Sequence, residues 1–76
     1  MKVHAKLASF IAANTGYAEK EFELSQGTTV KELLDIIELP VKSSRVTISV
    51  NGVMRDKSTA LKENDKVLIL PIVGGG

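Results

Sequence analysis

The sequence predicts an α+β fold, a mixed four- to five-stranded sheet with one main helix packed on one face. Three observations carry the prediction. Residues 2–7, 19–24 and 45–50 alternate apolar and polar side chains, the two-residue period of half-buried strands. Val30, Leu33, Leu34 and Ile37 fall at i, i+3, i+4 and i+7, a single apolar helical stripe. Residues 66–73 do not alternate and are apolar on both faces, which suits a strand at the centre of its sheet.

In the first strand, Val3, Ala5 and Leu7 face one way and Lys2, His4 and Lys6 the other. The pattern allows the strand to run on through Phe10. Residues 11–18 read as a loop, because Asn14-Thr15-Gly16 is a turn signal. The second strand puts Glu19, Glu21 and Glu23 on one face and Phe22 and Leu24 on the other, so the two strands form an antiparallel hairpin. The acidic row reads as the solvated face of an edge strand, where charge discourages stray pairing. A partner surface is the alternative reading of the same row.

Gly27-Thr28-Thr29 breaks the strand and opens the helix. Thr29 with Glu32 three residues on is a capping-box arrangement. Pro40 disfavours helical geometry at Leu39, so the helix is expected to stop about there. After a polar link over residues 41–44, the third strand carries Val46, Ile48 and Val50 on one face and Arg45, Thr47 and Ser49 on the other. Asn51-Gly52 is a two-residue hairpin turn of the kind that needs positive φ at both positions, with residues 53–55 as a short return strand. Residues 56–65 are polar and rich in turn formers, with Leu61 as an apolar plug and room for one helical turn around it.

The last strand can be central only by inserting beside the first and parallel to it, with the helix as crossover. That order is a β-grasp, spanning residues 1–73, followed by a glycine tail at residues 74–76. If Val67 and Ile69 face the helix, Leu68, Leu70 and Ile72 point to the uncovered face, beside Lys2, His4 and Lys6 on one side and Arg45, Thr47 and Ser49 on the other. Such an apolar patch with a partly basic rim is expected to be a protein-binding surface; a core on both faces, with a longer loop folded over this one, is the alternative.

Composition removes several function classes. A 76-residue chain holds one small domain. With no cysteine there is no catalytic thiol, thiolate metal site or iron–sulfur ligation, and one histidine makes no zinc site alone. The formal net charge of +1, with signs interspersed, argues against bulk nucleic-acid binding. No apolar run is long enough to span a bilayer, so a cytoplasmic domain is expected. The ending Val73-Gly74-Gly75-Gly76 brings no side chains to a core. Read alone, it fits a frayed terminus as well as a functional tether.

Several short stretches together resemble a known family. They are Lys6-Leu7-Ala8, Gly27-Thr28-Thr29-Val30-Lys31-Glu32-Leu33-Leu34, Val50-Asn51-Gly52, Leu61-Lys62-Glu63-Asn64-Asp65-Lys66-Val67, and the Pro71, Val73, Gly-Gly ending. In this order and spacing they resemble the MoaD/ThiS ubiquitin-like sulfur carriers over nearly the whole chain. The resemblance implies a carrier rather than an enzyme. Its Gly76 carboxylate, presented with Gly75, would be adenylated by an E1-like enzyme of the MoeB/ThiF type using ATP and then become a thiocarboxylate. The carrier itself would bind no cofactor.

Leu68, Leu70, Ile72, Val73 and Gly74 are the expected partner-binding residues. The implied partners are the activating enzyme and either the large subunit of molybdopterin synthase or thiazole synthase. The long first loop, Lys6-Leu7-Ala8 and Pro71 resemble the molybdopterin type. The extra Gly74 is seen more readily in the thiamine type, and the single proline departs from the paired prolines of many molybdopterin carriers; the molybdopterin pathway is the expectation and the thiamine thiazole pathway the alternative. A protein modifier that forms isopeptide bonds through the same tail is a further alternative.

Overall fold

The computed structural model describes residues 1–39 and 42–72. Its strands are β1 (Lys2–Leu7), β2 (Glu19–Glu23), β3 (Val46–Val50), β4 (Val53–Arg55) and β5 (Lys66–Pro71), and its helices α1 (Ser9–Thr15) and α2 (Val30–Ile37). The strands form a five-stranded sheet in the order β2-β1-β5-β3-β4. β5 is parallel to β1 and antiparallel to β3, so the last strand sits at the centre with the first, as the β-grasp order requires.

Alternation decides which face is buried. Val3, Ala5, Leu7, Val46, Ile48, Val50, Val67 and Ile69 all point into one core with Val30, Leu33, Leu34 and Ile37 of α2. Complete burial of one such aliphatic side chain contributes about 1.5–3 kcal/mol, so this layer holds the fold. Thr29 caps α2 reciprocally. Its hydroxyl accepts from the Glu32 N–H at 3.3 Å, and the Glu32 carboxylate accepts from the Thr29 N–H at 2.9 Å. The Thr29 N–H, and after it the Thr29 hydroxyl, donate to the Glu32 carboxylate and lower its pKa from the ordinary value.

The two-residue turn forms as expected, with Asn51 at φ 53° and Gly52 at φ 85°. The buried Asp65 carboxylate ties this turn to the loop before β5. It accepts from the Asn51 side-chain amide at 2.9 Å and from the Lys62 N–H at 2.8 Å. The Asn51 side-chain carbonyl accepts in turn from the Lys66 N–H at 3.0 Å.

Four expectations need correction. β1 does not continue to Phe10; it stops at Leu7, and residues expected to form a loop are largely α1. Ile11 is fully buried and plugs the sheet end, while Gly16, read as a turn residue, is the left-handed cap of that helix at φ 90°. A seven-residue helix with one buried side chain shows no periodic stripe, which hid it from the sequence pattern. α2, by contrast, ends about where expected: its last residue is Ile37, and Glu38 caps it in a left-handed conformation at φ 58° with its N–H bonded to the Leu34 carbonyl.

Arg45 belongs to a 3-10 turn, Ser43–Arg45, rather than to β3. The loop before β5 holds no helical turn. Leu61 is buried as expected, but it is held by its own N–H donating to the Thr28 carbonyl at 2.8 Å. The tail residues Val73, Gly74, Gly75 and Gly76 lie outside the described residues.

Candidate functional site

The pleat that buries one face of the sheet leaves the other uncovered. Strand register arranges the open face in rows. Lys6 on β1 lies between Glu19 on β2 and Leu68 on β5; Leu68 is followed by Ser49 on β3 and Met54 on β4. In the next row His4 lies between Glu21 and Lys66. Toward the chain end, Leu70 faces Thr47. Charge is therefore zoned: an acidic edge on β2, a basic row on β1 continued by Lys66, then apolar and hydroxyl side chains.

One contact crosses the zones diagonally. The His4 imidazole Nε2 pairs with the Glu19 carboxylate at 2.8 Å. That hydrogen bond lowers the Glu19 carboxyl from its ordinary value against an opposing desolvation, with the charge of Lys6 a lesser contribution in the same direction as the bond. The residues of β1, β2, the Asn51-Gly52 turn and the start of β5 line a shallow depression around Lys6 and Leu68.

Expected partner residues fall into three groups. Leu68 and Leu70 are half-buried on the open face, as predicted. Ile72 is 55% exposed at the end of β5 and lines a second, apolar hollow with Thr47, Leu70 and Pro71. Val73 and Gly74, with the proposed reactive Gly75 and Gly76, lie outside the described residues. Thr47 and Ser49 share the open face, whereas Arg45 sits at its end. Its carbonyl accepts from the Ile72 N–H at 2.9 Å.

Met54 and Lys66 were not anticipated. Met54 is 60% exposed on this face. A two-residue turn sets Val50 opposite Val53 and so Ser49 opposite Met54; the turn signal contained its position. Lys66 follows from the parallel register with His4, which the sequence does not fix.

Among the described residues no cluster of three or more His, Cys, Asp or Glu side chains is placed to hold a metal. No described helix is long and apolar enough to cross a membrane. What the described residues offer is a charge-zoned open face.

A small mixed sheet with its last strand at the centre and one face open is a ubiquitin-like β-grasp domain. The sequence matches the ThiS family over residues 4–76, and the chain belongs to that family of ubiquitin-like sulfur carriers. No curated protein matches it.

Among solved structures, a putative molybdopterin converting factor subunit 1 from Pyrococcus furiosus is similar at 25% identity. That match has a TM-score of 0.80 and covers 96% of this chain and 99% of the other. SAMP1 from Haloferax volcanii, a small archaeal modifier protein, is 18% identical over all of both chains with a TM-score of 0.80. A chain from the complex of subunits 1 and 2 of molybdopterin-converting factor from Helicobacter pylori is 23% identical over all of both chains, with a TM-score of 0.67. The last two likenesses establish the shared fold.

Proposed function

We propose that this chain carries sulfur on its C-terminal glycine for molybdopterin biosynthesis, as the small non-catalytic subunit of molybdopterin synthase. An E1-like enzyme brings ATP to the Gly76 carboxylate. A carboxylate oxygen attacks the α-phosphorus and pyrophosphate leaves, giving an acyl-adenylate. A sulfur nucleophile delivered by the activating system then attacks the carbonyl carbon and AMP leaves, giving the thiocarboxylate. A large subunit docked on the open face receives the tail and passes the sulfur to a small-molecule precursor.

The observation that carries this reading is membership of the ThiS family through residue 76, in a chain whose central strand, Lys66–Pro71, is the element preceding the glycines in sequence. The chemistry needs no side chain from the carrier. It needs a slender tether, and glycine lets the backbone pass through a narrow channel in conformations other residues reject. It also needs a docking surface, and the open face supplies one. The molybdopterin assignment draws support from the Pyrococcus furiosus relative and from the two-subunit complex of the Helicobacter pylori factor.

A second reading rests on the likeness to SAMP1: the same activated carboxylate forms an isopeptide bond with a lysine of another protein. Intact-mass measurement after incubation with ATP, an E1-like enzyme and a sulfur source separates the two. A mass gain equal to exchange of one oxygen for sulfur supports the carrier. A ladder of larger conjugates supports the modifier. Full function after deletion of Gly75 and Gly76 overturns both.

A further inference from the structure

We propose that Arg45 is a specificity residue that docks the root of the tail against a carboxylate on the activating enzyme. This inference rests on the tail being adenylated, as set out above. The problem it answers comes from the sequence: residues 74–76 are all glycine and present no side chain for an enzyme to recognise. Discrimination must come from side chains at the root, where the chain leaves the sheet. Arg45 and Ile72 are the pair that the backbone holds there. The Ile72 N–H donates to the Arg45 carbonyl at 2.9 Å, and the Arg45 N–H donates to the Lys42 carbonyl at 2.8 Å. The Arg45 backbone is thus fixed on both sides of its Cα, while its side chain is exposed.

Ion pairs among the described residues join the N-terminus to Glu23, His4 to Glu19 and Lys31 to Asp35; none involves Arg45. An exposed arginine with no ion pair among the described residues, bonded through its backbone to Ile72, puts a charged residue beside one that lines the apolar hollow with Thr47, Leu70 and Pro71. Its planar fork matches a carboxylate or a phosphate.

Reach selects between those two. Four residues, 73–76, separate Ile72 from the reacting carboxylate, and drawn out they span about 13 Å. An arginine side chain is shorter than that. With the tail extended into the channel, Arg45 stays at the mouth and meets the enzyme's own surface, not the phosphates of ATP. The enzyme's channel mouth therefore carries an Asp or Glu next to an apolar ledge.

The test is steady-state adenylation, measured as ATP–pyrophosphate exchange with the E1-like enzyme of the same cell. Wild type is compared with Arg45→Ala, Arg45→Lys and Arg45→Glu, and with Lys31→Glu on the opposite layer as a control for net charge. All five proteins are first checked for equal melting temperature. The expected result is a KM for the carrier raised about threefold by Arg45→Ala and about tenfold or more by Arg45→Glu. Arg45→Lys recovers part of the loss, kcat is unchanged throughout, and Lys31→Glu behaves as wild type.

The salt dependence of kcat/KM is expected to flatten in Arg45→Ala. A wild-type KM in Arg45→Glu, or an equal rise in Lys31→Glu, overturns the inference and leaves the carrier reading standing. A fall in kcat at saturating carrier also overturns it, since that points to a phosphate contact. Failure of the wild-type protein to support exchange overturns the carrier reading itself.

Discussion

Ile69 and Leu70 are neighbours on the central strand, yet the sheet gives them opposite environments. Ile69 is fully buried under α2, while Leu70 is half-buried on the open face beside Thr47. The same contrast runs along β1, where buried Val3, Ala5 and Leu7 alternate with Lys2, His4 and Lys6. The covered face is apolar across its central strands, with Lys20 and Arg55 on the edge strands opposite Ala5 and Ile48, and it shares one core with α2. The open face mixes carboxylates, amines, hydroxyls and aliphatic side chains in zones. A sheet with one helical layer thus divides its labour by residue parity. One set of side chains holds the fold, and the other is free to be written for a partner.

The largest effect that tests this division is Ile69→Asp. An unpaired carboxylate in that core costs several kcal/mol, on the order of the whole folding free energy of a domain this size. The protein is expected to lose its cooperative thermal transition, read by circular dichroism. Leu70→Asp, one residue on, is expected to keep the fold, with a melting temperature within about 5 °C of wild type. Its loss is expected instead in the proposed activation by an E1-like enzyme, where kcat/KM falls at least about tenfold. Full activation of a folded Leu70→Asp protein would remove the open face from the functional account.

A smaller effect probes the seam between the faces. Asp65→Ala leaves the Asn51 amide and the Lys62 N–H without their acceptor at a buried position. It is expected to cost about 1–3 kcal/mol, measured as a lowered urea midpoint at constant m-value. Because Asn51 and Lys66 line the depression on the open face, the same variant is expected to raise the KM for activation modestly.

The smallest effect belongs to the covered layer alone. Thr29→Ala removes the cap of α2 and is expected to cost about 1 kcal/mol, with activation unchanged in the folded protein. The same change removes the hydroxyl bond to the Glu32 carboxyl but keeps the larger backbone one, so its pKa should rise only part of the way toward its ordinary value in an NMR titration. The sign follows from that depression. In the wild type the contribution of the Glu32 carboxylate is present above its unfolded pKa and is lost as pH falls through the lower folded value. In Thr29→Ala this acid sensitivity is expected to shrink.

Much of this was legible before any coordinates. The capping box, the stripe of α2, the Asn51-Gly52 turn and the burial of Leu61 all follow from local patterns whose physics acts within a few residues. The two-sided run in β5 announced a central strand, and Leu68, Leu70 and Ile72 were placed on the open side by parity alone. α1 was hidden because a short helix that buries only Ile11 leaves no period to detect, and Asn14-Thr15-Gly16 reads equally as a turn or as the end of a helix. Arg45 was placed on the wrong element for a related reason. Alternation runs smoothly through it, while the hydrogen bond to Lys42 that forms the 3-10 turn leaves no mark on residue type.

By itself the sequence determined which side chains are apolar, at what spacing, and where the chain must turn. That sufficed for the β-grasp order and for the division between a covered and an open face, because both follow from periods of two and of 3.6 residues. Only the tertiary structure decided which residues on the open face become neighbours: Lys6 between Glu19 and Leu68, His4 beside Lys66, and Arg45 at the foot of Ile72. Those pairings depend on the register of strands far apart in the chain. Register is set by the packed core as a whole and not by any segment's own pattern.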